Sequence, residues 1–248
     1  MVDSAETRSE TTLQAYDAIA PMYENYSMSR SAYLAAIENL VIERLSPEDR
    51  LLDIGAGDGR RTARIVQKAG ITDYLAVEPS QEMAKICRQN LAGDVREVLA
   101  EKIDELHIGQ FSVALTLWNV LGHVRNSDAR LTALKCIADK LIDGGILMLD
   151  VNNRHNATAY GAFTVAKRVL IDSFIFDEKR GDANYDWNIE GKIFKSSGHL
   201  FVAQELETLV RKAGFKLRDR YSVDYQDGHV FRSPFKGQLF YVLEKSAV

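Results

Sequence analysis

LLDIGAGDG, residues 51–59, joins a short apolar segment to a turn that contains three glycines. The apolar segment is typical of a strand buried on both faces of a parallel sheet. Gly55, Gly57 and Gly59 follow it at alternate positions, and glycine both adopts positive φ and lets a ligand approach the backbone closely. The helix predicted over residues 62–69 would point its free N–H groups at the same turn. The stretch therefore favours a nucleotide-type pocket, with a tight turn that binds no ligand as the alternative.

The glycine spacing separates two kinds of nucleotide site. A dinucleotide-binding turn has the pattern G-x-G-x-x-G, whereas this chain has G-x-G-x-G and carries Arg60 where the third glycine would stand. The spacing argues against NAD, although a nicotinamide-dependent oxidoreductase that uses the same turn stays open as an alternative. Other parts of the chain have to decide between these interpretations.

The composition limits the class of protein and its partners. The 248 residues are 46% hydrophobic, enough for one large α/β domain, and no run approaches the roughly 18 apolar residues of a membrane span. The 31 Lys and Arg residues stand against 35 Asp and Glu without a long basic run, which disfavours nucleic acid as a partner. Cys87 and Cys136 fall in helical patterns and are predicted to be buried free thiols, which fits a cytoplasmic protein.

The pattern along the chain predicts strands and helices that alternate around one sheet. Two amphipathic helices come first, and the first five strands are predicted over residues 51–54, 74–78, 95–99, 113–118 and 146–151. A helix over residues 203–213 and two final strands, from residue 215 and over residues 238–244, are predicted to place an antiparallel hairpin at the sheet edge. Residues 154–198 lack the alternation and are predicted to be an inserted lid, in which aromatic segments around the polar run 177–184 suggest a hairpin.

Polar and aromatic residues follow the predicted strands at the edge where parallel strands end together. Glu78 ends the second strand, 23 residues after Gly55, close to the roughly 20-residue spacing at which an acidic side chain binds ribose hydroxyls. Ala100 and Glu101 would admit an adenine ring and accept from its amino group, and Trp118 would offer a flat face. Together these residues predict an adenosyl pocket, with an ordinary surface glutamate as the alternative for Glu78.

The ordered segments DIGAGDG, EPSQEM, AEKI and LTLWNVLGHV resemble the motifs of class I S-adenosylmethionine (SAM)-dependent methyltransferases over roughly residues 45–151. The resemblance implies a doubly wound, Rossmann-like α/β fold with a seven-stranded sheet of order 3-2-1-4-5-7-6, in which strand 7 runs antiparallel. It also implies one methyltransferase domain over residues 1–248, with an N-terminal helical cap in residues 1–46 and the lid over the substrate site. SAM is then the expected cofactor, and S-adenosyl-L-homocysteine (SAH) is its product.

Carried over residue by residue, the resemblance implies which side chains contact this cofactor. Asp53 and the glycine turn would lie along its methionine part, Glu78 would bind the ribose, and residues 100–101 would border the adenine. Tyr23, in the segment YDAIAPMY, would close over the sulfonium region. The full implied set is Tyr16, Tyr23, Asp53, Gly55, Ala56, Gly57, Gly59, Glu78, Pro79, Ser80, Met83, Ala100, Glu101, Trp118 and Asn119.

His123 is the candidate catalytic residue, because an acceptor that arrives protonated needs a general base and histidine titrates near neutral pH. A histidine held structurally beneath the lid is the alternative. Arg154, just past the fifth strand, is predicted to face the substrate. Tyr160, Trp187 and Tyr225 are predicted to do the same, with ordinary packing as the alternative.

The sequence narrows the methyl acceptor to a small organic molecule or a small peptide end, methylated on oxygen or nitrogen. The N/D-P-P-Y/F tetrad of many nucleic-acid-base and glutamine methylases is replaced by WNVLG, residues 118–122. No C-x-x-C or H-x-x-x-H spacing occurs, so a bound metal is not expected. Catalysis then consists mainly of positioning the methyl group against the acceptor. The protein is expected to be a monomer or a homodimer. The competing interpretations are a non-catalytic SAM-binding module and a methyltransferase that acts on a peptide or protein end.

Overall fold

The computed structural model describes residues 4–247, and the side-chain surroundings of residues 12–247. Its strands are β1 (Arg50–Ile54), β2 (Asp73–Val77), β3 (Asp94–Arg96), β4 (Phe111–Thr116), β5 (Leu141–Val151), β6 (Asp182–Ile189), β7 (Lys192–His199), β8 (Phe215–Val223), β9 (Val230–Phe231) and β10 (Gln238–Lys245). Its α-helices are α1 (Ser4–Ile19), α2 (Tyr23–Met28), α3 (Ser31–Ile42), α4 (Arg60–Ala69), α5 (Gln81–Asn90), α6 (Val120–His123), α7 (Ser127–Lys140), α8 (Ala157–Tyr160), α9 (Ala162–Phe174) and α10 (Ala203–Lys212). Short 3₁₀ helices span Ala20–Met22, Ala100–Glu105 and Glu178–Gly181. From β1 to β5 the strands alternate with helical segments, as crossover connections of a parallel sheet require.

The central sheet has the order β3-β2-β1-β4-β5-β10-β8-β9. The pairs from β3 to β5 are parallel, whereas β10 runs antiparallel to both β5 and β8. The predicted order 3-2-1-4-5-7-6 holds for seven of these strands, because β10 and β8 stand in the places of the seventh and sixth strands, but the sheet has eight strands and not the predicted seven. The structure adds β9, a short edge strand that pairs with β8 and was not predicted.

β1 lies in the middle of this sheet and is buried on both faces. Leu52 belongs to the core cluster formed with α7, and Leu51 belongs to the cluster formed with α3 and α4. Neither side chain is exposed, as the apolar run in the sequence predicts. Gly55 then adopts φ 74° and Gly59 adopts φ 78°, so the chain turns sharply before α4 begins at Arg60. The turn leaves an open crevice above the carboxyl ends of the strands.

The N-terminal helices fall into two groups with different roles. Residues 1–3 of the predicted cap lie outside the described residues. α3 is part of the core, since Tyr33, Ile37 and Val41 on it are almost fully buried against the sheet. α1, by contrast, lies at the crevice, where Thr12 contacts Ser197 of β7 through a 3.3 Å hydroxyl pair. Of these helices, α1 therefore borders the crevice, whereas α3 belongs to the core.

The 154–198 insertion contains α8, α9 and a hairpin made of β6 and β7. The hairpin turn lies at Glu190 and Gly191, which adopt φ 52° and 78°. Two consecutive residues with positive φ form the tight turn that matches the twist of paired strands. The polar run 177–184 instead forms a 3₁₀ helix and the start of β6. A hairpin was expected in this insertion, and the turn signal that positions it is the dipeptide Glu190-Gly191.

Cys87 and Cys136 are buried free cysteines, as predicted. Among the helices within residues 4–247, none is both long and apolar enough to cross a membrane. The same part of the chain holds no group of three or more His, Cys, Asp and Glu side chains suited to a metal ion.

Candidate functional site

The first cavity lies at the carboxyl ends of β1, β2 and β4, beneath α1. Its volume is about 760 Å³, including space open to solvent. Nine residues of the predicted cofactor set line it: Tyr16, Tyr23, Gly55, Gly57, Glu78, Pro79, Ala100, Glu101 and Trp118. Apolar side chains that the sequence did not single out complete the wall, among them Leu13, Val98, Leu99 and Leu117. The motif residues therefore converge, although they come from distant parts of the chain.

Glu78 is the acidic anchor of this cavity. Its Oε2 accepts a hydrogen bond from Gly57 N at 2.8 Å, and its Oε1 accepts one from Ser80 N at 2.9 Å. Burial raises the pKa of the carboxyl group to about 7, against the lowering effect of these two N–H donors. Nearby Asp53 and Asp17 add to the rise in pKa. Glu78 thus ties the glycine turn after β1 to the end of β2.

Five residues of the predicted cofactor set stand behind the wall of this cavity: Asp53, Ala56, Gly59, Ser80 and Met83. Asp53 is fully buried and accepts a hydrogen bond from the Thr62 hydroxyl at 2.5 Å. Ser80 caps α5 by accepting from Met83 N at 3.2 Å, and its own hydroxyl donates to Asp17 at 2.6 Å. These residues therefore hold the turn and the helix in place and do not themselves form the cavity surface.

Trp118 and Asn119 form a strained corner at the end of β4. Both have positive φ, 65° and 63°, which side chains other than glycine rarely adopt. Asp150 on β5 stabilises the corner, because its Oδ1 accepts from Trp118 N at 2.6 Å and its Oδ2 accepts from the Tyr33 hydroxyl at 2.5 Å. Burial raises the pKa of Asp150, whereas these bonds lower it. Sequence reasoning overlooked Asp150, although a carboxylate inside the apolar run of β5 was a usable signal.

A second cavity of about 1100 Å³, also partly open to solvent, adjoins the first. The two share Tyr16, Tyr23, Trp118 and His123. The second cavity adds five aromatic residues from four segments of the chain: Tyr26, Tyr160, Tyr185, Trp187 and Tyr225. Carboxamides complete much of the polar lining, from Asn119, Asn152, Asn184 and Gln238. The predicted cofactor residue Asn119 therefore belongs to this cavity.

Most of the aromatic rings of the second cavity contact one another. Tyr26 stacks on Trp118 with an interplanar angle of 8°, and the ring centroids of Tyr16 and Trp187 are 5.1 Å apart. The indole N–H of Trp118 donates to the Tyr225 hydroxyl at 3.0 Å. These contacts link the helices before β1 to the insertion and to the loop after β8. The rings form a continuous aromatic wall as a result.

A family model for a methyltransferase domain matches residues 27–219, most of the chain. The chain belongs to this methyltransferase family. The match and the observed sheet order together confirm the predicted class I methyltransferase. Curated protein sequences include no match to this chain.

Solved methyltransferase structures share the fold at low sequence identity. A SAM-dependent methyltransferase from Thermotoga maritima is 20% identical, with 94% of this chain and 99% of that chain covered at a TM-score of 0.64. The amino pentose methyltransferase CalS10 from Micromonospora echinaspora is 14% identical, with coverages of 91% and 97% and a TM-score of 0.59. The sugar N-methyltransferase KedS8 from a Streptoalloteichus species is 18% identical, with coverages of 91% and 93% and a TM-score of 0.56.

His123 of this methyltransferase lies between the two cavities with both ring nitrogens engaged. Nδ1 is 3.0 Å from the Ser197 carbonyl oxygen, and Nε2 is 3.2 Å from the Tyr16 hydroxyl. Burial lowers the pKa of His123 to about 4, so the ring is neutral at neutral pH. A neutral ring that donates from Nδ1 to the carbonyl accepts at Nε2 from Tyr16. This geometry favours the structural alternative over a free general base.

The predicted substrate residues divide between two places in this methyltransferase. Tyr160, Trp187 and Tyr225 line the second cavity. Arg154 lines neither cavity, because its guanidinium donates to Asp172 on α9 at 2.9 Å and is almost fully buried. A buried guanidinium needs a carboxylate partner, and α9 supplies one that sequence spacing does not reveal. The prediction that Arg154 faces the substrate is therefore corrected.

The sequence analysis missed Tyr26 and Tyr185, although each is spaced regularly from an aromatic residue that it named. Tyr185 and Trp187 are two positions apart on β6, so their side chains leave the same face of the hairpin. Tyr26 follows Tyr23 by three positions on α2, which places both on one helix face. The two-residue spacing of aromatic residues in the insertion and the three-residue spacing in the N-terminal segment could therefore have predicted these positions.

Proposed function

We propose that this enzyme transfers the methyl group of SAM to an oxygen or nitrogen atom of a small organic acceptor. The observation that carries the proposal is the wall of four residues shared by two cavities of different character. Donor and acceptor pockets have to meet at one point, because the methyl carbon and the nucleophile react from about 3–3.5 Å. We assign the first cavity to the cofactor and the second to the acceptor.

The chemistry of the first cavity fits the cofactor. Glu78 uses two of the roughly four acceptor sites of a carboxylate on Gly57 N and Ser80 N, which leaves lone pairs for ribose hydroxyls. Gly57 presents bare backbone beside the Tyr23 ring, at the place proposed for the methionine part. We place the adenine beside Ala100 and Glu101. Bound there, SAM supplies an electrophilic methyl group on a sulfonium cation.

The work of the protein in this proposal is positioning and the exclusion of water. Trp118 and Tyr23, whose ring centroids are 5.7 Å apart, separate the two cavities, and Asp150 holds Trp118 in its strained conformation. We propose that residues 154–198 act as a lid, since Tyr160, Tyr185 and Trp187 from this insertion line the acceptor cavity. α1 and α2 would complete the cover through Tyr16, Tyr23 and Tyr26.

Two similar solved structures are described as methyltransferases of small molecules, a sugar N-methyltransferase and an amino pentose methyltransferase. They support an acceptor of that size here. A peptide or protein end is the second candidate acceptor, and the partly open second cavity is the observation that favours it. Methylation assays with capped and uncapped peptides would separate the two candidates.

The test of the proposed function is cofactor binding followed by turnover. We expect calorimetry to show binding of SAM and SAH to the folded protein, and SAM to raise Tm when NAD and NADP do not. Binding of NAD or NADP without binding of SAM would favour the oxidoreductase. Saturating SAM with a broad acceptor panel and no transfer would favour the non-catalytic module. No binding of SAM or SAH to the folded protein would end the proposal.

A further inference from the structure

The lining of the second cavity is aromatic and carries no fixed charge. Six of the ten tyrosines and both tryptophans of the chain line it. Within residues 12–247, whose side chains are described, no Asp, Glu, Lys or Arg is among its lining residues. Burial raises the pKa values of Tyr16 and Tyr26 well above their ordinary range, so these hydroxyls stay neutral. The guanidinium of Arg30 lies over the Tyr225 ring, 4.5 Å from its centroid, and Arg30 is not among the lining residues.

This lining gives no acceptor for a proton that has to leave during methyl transfer. A hydroxyl acceptor loses its proton as the new bond forms, which calls for a base within hydrogen-bond reach. The ring nitrogens of His123 are already bonded to Ser197 and Tyr16, and burial lowers its pKa to about 4. Glu78 lines the first cavity and is not among the lining residues of the second. The cavity is thus poorly equipped for hydroxyl acceptors.

An amine acceptor needs no such base. A neutral amine carries a nucleophilic lone pair, and its proton stays on nitrogen throughout the transfer. The lone pair forms the new N–C bond, the C–S bond breaks, and its electron pair remains on sulfur as a neutral thioether. The positive charge therefore moves from sulfur to nitrogen, and the product ammonium releases a proton to water only after it leaves.

Resting on the proposed function, we propose that the second cavity takes an amine as the methyl acceptor, which reacts as the free base, and that its aromatic rings stabilise the positive charge that arrives on nitrogen. Faces of Trp and Tyr attract cations most strongly where water is excluded. An ammonium that keeps its proton has no lone pair and cannot attack the methyl carbon, so the amine reacts as the free base and becomes a cation only in the product. The shared wall of Tyr23 and Trp118 lies along the path of the moving charge.

A binding experiment tests the charge preference without turnover. Choline and 3,3-dimethylbutan-1-ol have the same shape, but choline carries a quaternary ammonium and the alcohol is neutral. With SAH bound, we expect choline to bind at least about fivefold more tightly than the alcohol in titrations followed by tryptophan fluorescence. Trp118 and Trp187, the only tryptophans in the chain, both line the cavity and report on it directly. Equal affinity of the two probes, or no binding of choline, would overturn the proposal.

Two variants of Trp187 separate the π face from simple packing, and both leave Trp118 as the sole tryptophan reporter. Trp187→Phe keeps an aromatic face and should keep most of the preference for choline. Trp187→Leu removes the face and should bring the preference below about twofold. SAH affinity is the check on folding, since Trp187 does not line the first cavity. A preference that survives unchanged in Trp187→Leu would count against the proposal.

A turnover experiment tests whether the enzyme methylates nitrogen or oxygen. Benzylamine and benzyl alcohol, with SAM and product detection by mass spectrometry, differ only in the nucleophile. Transfer to the amine alone supports the proposal, and transfer to the alcohol at a similar rate overturns it. If neither is methylated, the choline comparison decides. Failure of SAH to bind would instead contradict the proposed function. Failure of the amine proposal can therefore be distinguished from failure of the proposed function.

Discussion

The two cavities share four wall residues but are built from different parts of the molecule. The first depends on the ends of the central strands, with backbone turns and one buried carboxylate, Glu78. The second depends on side chains from α1, α2, the insertion and the loop after β8, and its described lining holds no carboxylate. Sheet ends hold backbone groups in fixed positions, whereas the aromatic side chains of the second cavity depend on the packing of peripheral segments.

Substitution at Gly55 should have the largest effect, because the turn beneath the first cavity depends on it. Gly55 has φ 74°, and an added Cβ would clash with Val120 Cγ2. We expect Gly55→Ala to lower the free energy of unfolding by about 3 kcal/mol and to abolish SAH binding, from left-handed strain plus overpacking.

Gly144 provides the matched control for that substitution. Its φ is 75°, and an added Cβ would meet no atom within 4 Å. Gly144→Ala should therefore cost only the strain, about 1–2 kcal/mol, and leave SAH binding intact. Denaturant titration measures both variants. Equal losses of stability would show that Val120 does not confine the turn.

Removal of the Glu78 carboxylate should weaken ligand binding in the first cavity and leave ligand binding in the second cavity unchanged. We expect Glu78→Gln to weaken SAH binding by about 10- to 100-fold, since a carboxylate acceptor of hydrogen bonds is replaced by an amide. Choline binding to the second cavity should change little. The exposed Glu82→Gln variant on α5 is the control for charge alone. A similar loss of affinity for both ligands would mean that the cavities are not separable in this way.

The raised pKa of Glu78 predicts a pH dependence confined to the first cavity. With a pKa of about 7, the carboxylate fraction grows about tenfold between pH 6 and pH 8, and SAH affinity should rise with it. The stability effect has the opposite direction. A folded pKa raised from 4.5 means that the contribution of Glu78 to folding falls as pH increases from about 4.5 to about 7. Calorimetry across pH measures the binding, and Glu78→Gln should flatten its profile.

His123 should show the smallest effect, because both of its ring nitrogens are bonded to protein groups. We expect its imidazole to stay neutral down to about pH 5 in an NMR titration, in line with a pKa of about 4. His123→Gln should slow turnover by less than about tenfold, whereas loss of a general base costs about 10²- to 10⁴-fold. A titration midpoint between pH 6 and 7 would restore His123 as the base.

Sequence reasoning located the sheet and the first cavity well because both depend on local signals. A buried strand shows as an apolar run, and a ligand turn shows as glycines directly after it. Parallel strands end at one edge, so Glu78, Ala100 and Trp118, each at or just after a strand end, were expected to meet there. The strand order itself came from the resemblance to class I methyltransferases. The edge strand β9 was missed because two residues carry too little pattern to read.

The second cavity was only partly predictable. Tyr160, Trp187 and Tyr225 were expected to face the substrate, but Arg154 was wrongly placed beside them. The sequence around a basic residue that follows a strand does not show whether its side chain faces a ligand or pairs with a carboxylate of the protein. Asp172 lies 18 positions away on α9, and only the packing of that helix brings the pair together.

The sequence by itself determined the fold and the position of the proposed cofactor cavity, because strand burial and glycine turns depend on neighbouring residues. The tertiary structure decided the chemistry of the proposed acceptor cavity. It brought together rings from segments more than 150 residues apart, engaged both nitrogens of His123, and left the described lining without a charged group. Such facts depend on long-range packing and on the desolvation it produces, which no local pattern in the chain records.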